Sequence, residues 1–195
     1  MLRNIDHLKN HLNPHNVLLR PHVKTAKCPQ ITDLILDTSP GPITVSTLKE
    51  AEQFAAAGYR DILYAVGIEP SKLPRVLSLR DNGIDLSILV DNIEAADAVV
   101  SASSEAGKKI PVLIEIDSDG HRAGVKPDDP LLIEIAKVLN ETAMLRGVMT
   151  HAGSAYNHPG QHELMKMAEQ ERRAAVEAAE RIKATGLPCD VVSVG

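Results

Sequence analysis

The segment Leu19-Arg20-Pro21-His22-Val23-Lys24-Thr25 carries the most chemistry per residue in this chain. It reads as an apolar run ending on a lysine, with a polar turn behind it. A lysine at such a strand end can point into the mouth of a barrel, where loss of water favours the neutral amine. A neutral lysine amine condenses with an aldehyde to form a Schiff base. Lys24, with His22 two residues before it, is the candidate catalytic pair. A lone lysine near a turn is ordinarily a solvated surface group, so this reading depends on what the other segments place at their own strand ends.

Polar residues recur at those ends. Thr44 to Thr47, Asp91, Asp117 to Arg122, His151 to Tyr156 and Ser193 to Gly195 each follow or close an apolar run. Asp117-Ser118-Asp119-Gly120 invites a calcium-loop reading. That register would put Lys126 where a bidentate Glu is required, so the reading is rejected in favour of a plain loop or one that presents Arg122. His158 and His162 are four apart and could share a helix face as a metal pair, but Pro159 marks a helix start there and a structural role is preferred. In His151-Ala152-Gly153-Ser154-Ala155-Tyr156, Gly153 permits close backbone approach to a ligand. Val191-Val192-Ser193-Val194-Gly195 runs into a small-residue turn of the kind that holds a phosphate in late barrel loops. A phosphate and a Schiff-base lysine in one barrel mouth suggest pyridoxal phosphate.

The elements that would position these residues alternate. Apolar runs at Val17–Leu19, Ile43–Ser46, Ile62–Val66, Leu86–Val90, Val112–Ile116, Gly147–Thr150 and Val191–Val194 read as seven strands. Helical patterns fill Leu48–Ala57, Ser71–Asn82, Asn92–Ala106, Pro130–Asn140 and Gln161–Thr185, and the chain opens in another, Asn4–Leu12. Short strands alternating with helices predict βαβ units and a parallel sheet. Thr47 with Glu50 makes a capping box, Asn92 precedes its helix, and Gly58 and Gly186 close theirs. A doubly wound sheet and a β/α barrel both fit this count. A barrel has eight strands and typically about 250 residues. The chain has 195 residues and ends directly after an apolar run, so a partial barrel spanning 1–195 is expected, with both ends cut.

Composition narrows the class. Aromatic residues make up 2%, hydrophobic residues 44%, and the formal charge is −5. The core must be aliphatic, as buried parallel strands require. Neither a basic footprint nor stacking aromatics are present for nucleic acid. Cys28 and Cys189 fit no metal spacing. The polar start Met1-Leu2-Arg3-Asn4-Ile5-Asp6 has no secretory h-region and no run is long enough for a membrane span, which reads as a reduced, cytoplasmic protein.

At RPHVKT (20–25), TVSTLKEAE (44–52), LVDN (89–92), EIDSDGHRAGV (115–125), HAGSAY (151–156) and VVSVG (191–195) the chain resembles the fold-type III pyridoxal-phosphate enzymes. Within them it is most similar to the D-threonine aldolase and D-serine dehydratase group of alanine racemase N-terminal domain proteins. The resemblance implies a (β/α)8 TIM-type barrel, incomplete here, with a C-terminal β-domain absent. It implies that Lys24 carries the Schiff base and that Arg122 faces the pyridine nitrogen. His151 and Tyr156 would line the cofactor, and Ser193 and Gly195 would begin the phosphate cup. A divalent metal (Mn, Mg or Zn) is expected only with the missing domain, as is a homodimer.

The implied activity is lyase chemistry on a small D-β-hydroxy amino acid, with D-threonine aldolase-type cleavage to glycine and an aldehyde first. D-serine dehydratase, an amino-acid racemase of the same fold and a non-catalytic pyridoxal-phosphate carrier are the alternatives. RPHVKT departs from the Ala-, Asn-, Tyr- and Gly-rich surround of the racemase lysine, which weighs against the racemase. The 195-residue piece alone is expected to be inactive.

Overall fold

A computed structural model describes residues 1–157 and 160–195. Among them, six strands are interleaved with helices. The strands are β1 (Ile43–Val45), β2 (Asp61–Gly67), β3 (Asp85–Val90), β4 (Pro111–Ile116), β5 (Met144–Thr150) and β6 (Val191–Ser193). The α-helices are α1 (Leu2–Leu12), α2 (Pro29–Ile35), α3 (Leu48–Ala56), α4 (Leu73–Asp81), α5 (Ile93–Ala106), α6 (Leu131–Thr142) and α7 (Gln161–Ala184). Strand order in the sheet is chain order. Pairing is parallel between β1 and β2, β3 and β4, β4 and β5, and β5 and β6. The alternating α/β pattern expected from the sequence is therefore present. By contacts the chain forms two compact units, Met1–Val66 with Pro74–Ser87, and Gly67–Leu73 with Ile88–Gly195.

In the first unit the core is Ile43 and Val45 of β1, Ile62, Leu63 and Tyr64 of β2, and Leu48, Ala51 and Phe54 of α3. Helix α3 starts where the capping box places it. Thr47 Oγ1 accepts from Glu50 N at 3.0 Å and the Glu50 carboxylate accepts from Thr47 N at 3.3 Å. Of the seven expected strands, the first is not one. Val17–Leu19 is irregular, and a single parallel bridge from His22 to Thr44 stands in its place. Pro21 has no N–H to extend a ladder, and Leu18 is 92% exposed, with no core to bury it. Helix α2, which the apolar pattern did not announce, starts with Pro29 in its first turn. That proline was its one sequence signal.

In the second unit the β3, β4 and β5 residues Ile88–Val90, Val112–Ile114 and Val148 are buried. Helix α5 is capped by the Asn92 side chain, which accepts from Ala95 N at 2.8 Å, and closes on Gly107 in the left-handed region. Helix α6 buries Leu132, Ile135, Ala136 and Leu139, the three- and four-residue spacing of one helix face. Helix α7 buries mostly small residues, Ala174, Ala175, Ala178 and Ala179 with Ile182. Gly147 on β5 has no room for a side chain, because a Cβ there would fall on the Val191 backbone of β6. Among the described residues no helix is long and apolar enough to cross a membrane.

Candidate functional site

The site residues expected from the sequence divide between the units. His22 and Lys24 lie in the first; Arg122, His151, Tyr156, Ser193 and Gly195 lie in the second.

In the first unit, residues 23–26 form a turn directly after the His22 bridge. Val23 points inward at 3% exposure, and the next side chain, Lys24, is exposed. The turn buries its apolar residue and leaves the Lys24 side chain exposed. The Lys24 N–H donates to His22 Nδ1 at 3.2 Å, and His22 Nε2 lies 3.1 Å from Ser46 Oγ. An Nδ1 that accepts a backbone N–H carries no proton, so this bonding assigns the ring as neutral with its proton on Nε2, donating to Ser46.

Glu50 sits behind this turn with its side chain 4% exposed. Its Oε2 accepts from Ser46 N at 2.8 Å and Thr47 N at 3.3 Å, and its Oε1 lies 3.0 Å from Lys27 Nζ. Burial pushes the Glu50 carboxyl up, but the Ser46 N–H, the Lys27 ammonium and the Thr47 N–H outweigh it and hold the carboxyl below its usual range. The sequence marked Glu50 only as a helix cap. Its reach to Lys27 had no sequence signal, because it depends on Lys27 adopting a left-handed backbone at φ 49°.

In the second unit, the loop after β4 folds back on its own strand. Asp117 N donates to Val125 O at 3.0 Å and Val125 N to Glu115 O at 2.9 Å. Asp117 Oδ1 accepts from Asp119 N and Gly120 N at 3.2 and 2.7 Å. Asp119 Oδ2 accepts from both the N and Oγ of Ser154, at 3.0 and 2.5 Å, which ties the β4 loop to the β5 loop. The tied loops present Arg122, whose side chain lies across Gly153. A Cβ at residue 153 would stand 2.5 Å from Arg122 Cδ and 3.0 Å from its Cγ.

His151 and Tyr156 pair in the same loop, with Tyr156 Oη 3.3 Å from His151 Nε2 and ring centroids 5.8 Å apart. Glu171 of α7 accepts from Ala152 N at 2.6 Å and so holds the base of that loop. Ser193 is registered against Met149, near the end of β5, and Gly195 at φ 133° has open space where a Cβ would be. Glu115 is a site residue the sequence reading did not single out, although an acidic residue inside an apolar strand was its signal. Burial pushes its carboxyl up, Asp91 adds to this, and Arg122 opposes it. His158 lies outside the described residues, and His162 is exposed on the first turn of α7. Among the described residues no three His, Cys, Asp or Glu side chains are grouped to hold a metal.

A family profile described as "Alanine racemase, N-terminal domain" matches residues 1–195. The chain is 49% identical over 197 residues to D-threo-3-hydroxyaspartate dehydratase of Delftia sp. (strain HT23), covering 100% of this chain and 52% of that protein. It is 31% identical to D-threonine aldolase of Arthrobacter sp, over 93% of this chain and 48% of that one. The solved structure of the Delftia dehydratase superimposes on the whole chain with a TM-score of 0.97 and 48% identity, covering 52% of the solved chain. The chain spans about half the length of the curated relatives it matches.

Proposed function

Because the chain belongs to the alanine racemase N-terminal domain family along its whole length, we propose that it is the cofactor-binding part of a pyridoxal-phosphate-dependent lyase acting on D-3-hydroxy amino acids. The observation that carries this reading is Lys24, an exposed primary amine on a side-chain-braced turn at the end of the RPHVKT segment. The relatives divide between dehydration and Cα–Cβ cleavage, and the 49% likeness to a dehydratase favours dehydration over the aldolase cleavage expected from the sequence. The 31% likeness to an aldolase keeps cleavage as the second reading.

The residue types in each unit suit the cofactor. Lys24 Nζ would hold its aldehyde carbon. Arg122, a guanidinium that only donates, would face the ring nitrogen and leave it unprotonated. Gly153 gives that arginine its room. His151 and Tyr156, already bonded to each other, would line the ring, and Ser193 with the backbone toward Gly195 would take the phosphate. When bound, the cofactor supplies an electron-accepting ring conjugated to the substrate α-carbon. The described residues offer no ligand set for a divalent metal, and none of the chemistry assigned to this chain runs through one.

Adding pyridoxal phosphate, reducing with borohydride and mapping the labelled peptide tests the reading. The expected outcome is label on Lys24, lost in Lys24→Ala. Label spread over the surface lysines and unchanged by that substitution would reject it.

A further inference from the structure

Resting on the reading of Lys24 as the cofactor amine, we propose that Ser46 and Glu50 are positioning residues for Lys24, and that His22 transmits their hold as a neutral imidazole rather than acting as an acid or base.

The chain around Lys24 has little regular structure to fix it. Its backbone bonds to β1 are the two that make the single bridge, Val23 N to Thr44 O and Thr44 N to Pro21 O, both 2.9 Å. A segment with so few ladder bonds opens locally unless side chains close it. Here they close it at both ends. At the leading end, the His22 ring stands between the Lys24 N–H and the Ser46 hydroxyl, with one nitrogen engaged on each. At the trailing end, the Lys27 ammonium meets Glu50. Lys27 N also closes the turn on Val23 O at 2.9 Å.

Both tethers reach the same short stretch, where β1 gives way to α3. Glu50 is held there by the Ser46 and Thr47 N–H groups on one oxygen, which leaves the other for Lys27. A buried carboxylate engaged on both oxygens cannot shift without leaving donors unsatisfied. The start of α3 thus becomes a fixed reference for the turn. The bonding also restricts His22. Protonating Nδ1 would remove the acceptor of the Lys24 N–H, so charging this ring would loosen the residue it supports. Its Nε2 proton is directed at Ser46, which makes it an orienting group.

The test compares the chain with Ser46→Ala, Ser46→Thr and Glu50→Gln. In Ser46→Ala, exchange of the Lys24 amide should quicken about fivefold, the worth of one neutral hydrogen bond. In Glu50→Gln, which keeps an acceptor for the helix cap but loses the ion pair, exchange of the Lys27 amide should quicken about tenfold or more, the worth of a charge-assisted bond. Ser46→Thr retains the hydroxyl and should behave as wild type, and the Tyr64 amide on β2 should not change in any variant. Ring-nitrogen NMR should find the His22 proton on Nε2. Borohydride capture of pyridoxal phosphate on Lys24 should slow in the two loosened variants with no change in the residue labelled. Unchanged exchange at Lys24 and Lys27, or a His22 proton on Nδ1, overturns the proposal. Label at a lysine other than Lys24 rejects the functional reading instead, while the exchange rates still decide whether the tethers exist.

Discussion

Glu115 stands on the apolar strand β4 with its carboxyl pushed above the usual range by burial and by Asp91, against the pull of Arg122. A carboxyl raised in this way holds its proton more tightly in the folded chain than in the unfolded one. It costs no stability while both states are protonated, and it penalises folding as pH rises past its unfolded value, about 4.3 for a glutamate. Glu115→Gln should therefore raise the melting temperature at neutral pH, with the gain closing in acid; melts across pH check this. Glu50 and Asp119 carry the opposite sign. Their carboxyls are lowered, so their stabilisation is present at neutral pH and is lost as pH falls through their folded values. At this scale the sequence announced residue types and not their partners. Lys24, Arg122 and His151 could be named as candidates because each comes after an apolar run. The Asp119 to Ser154 bond could not be read, because it joins positions 35 apart that only a folded loop pair brings together.

Elements were more legible than contacts. The capping box at Thr47 and the cap at Asn92 sit where their sequence patterns put them, since a cap is a local geometry written in adjacent residues. The run Val17–Leu19 misled because three apolar residues satisfy a strand pattern without a neighbour to pair with. Helix α2 was missed because its seven residues bury only Thr32 and leave no periodic stripe. Gly147 looked like the first residue of an apolar run, and its importance appears only with β6 in place. Gly147→Ala would drive a methyl into the Val191 backbone. It should destabilise the chain by about 3 kcal/mol or more, at the upper end for overpacking because backbone must move. Denaturant unfolding should register this, with Val191 to Ser193 amides losing protection first.

For the whole molecule, the parallel α/β pattern and the family were legible along the chain. The division into two units was not. It runs through β2 after Val66 and through β3 after Ser87, so no linker or change of composition could mark it. The surface also carries apolar side chains on β6 and just after it, with Val191 39%, Val192 41% and Val194 50% exposed. An exposed apolar strand invites pairing with another chain. Sedimentation of the 195-residue chain should show concentration-dependent association that Val192→Lys reduces; a monomer at all concentrations would contradict this.

The contact between Arg122 and Gly153 has a consequence for how this site could change. The two positions lie in different loops, yet the space of one is occupied by the other. Gly153→Ala alone would displace the arginine, and a shorter residue at 122 alone would leave a hollow above the glycine. Made together, the two changes should be far milder than their sum, as coupled neighbours are. A lineage, or a protein engineer, seeking a different side chain at position 122 would meet a valley at each single step and a passable route only through the pair.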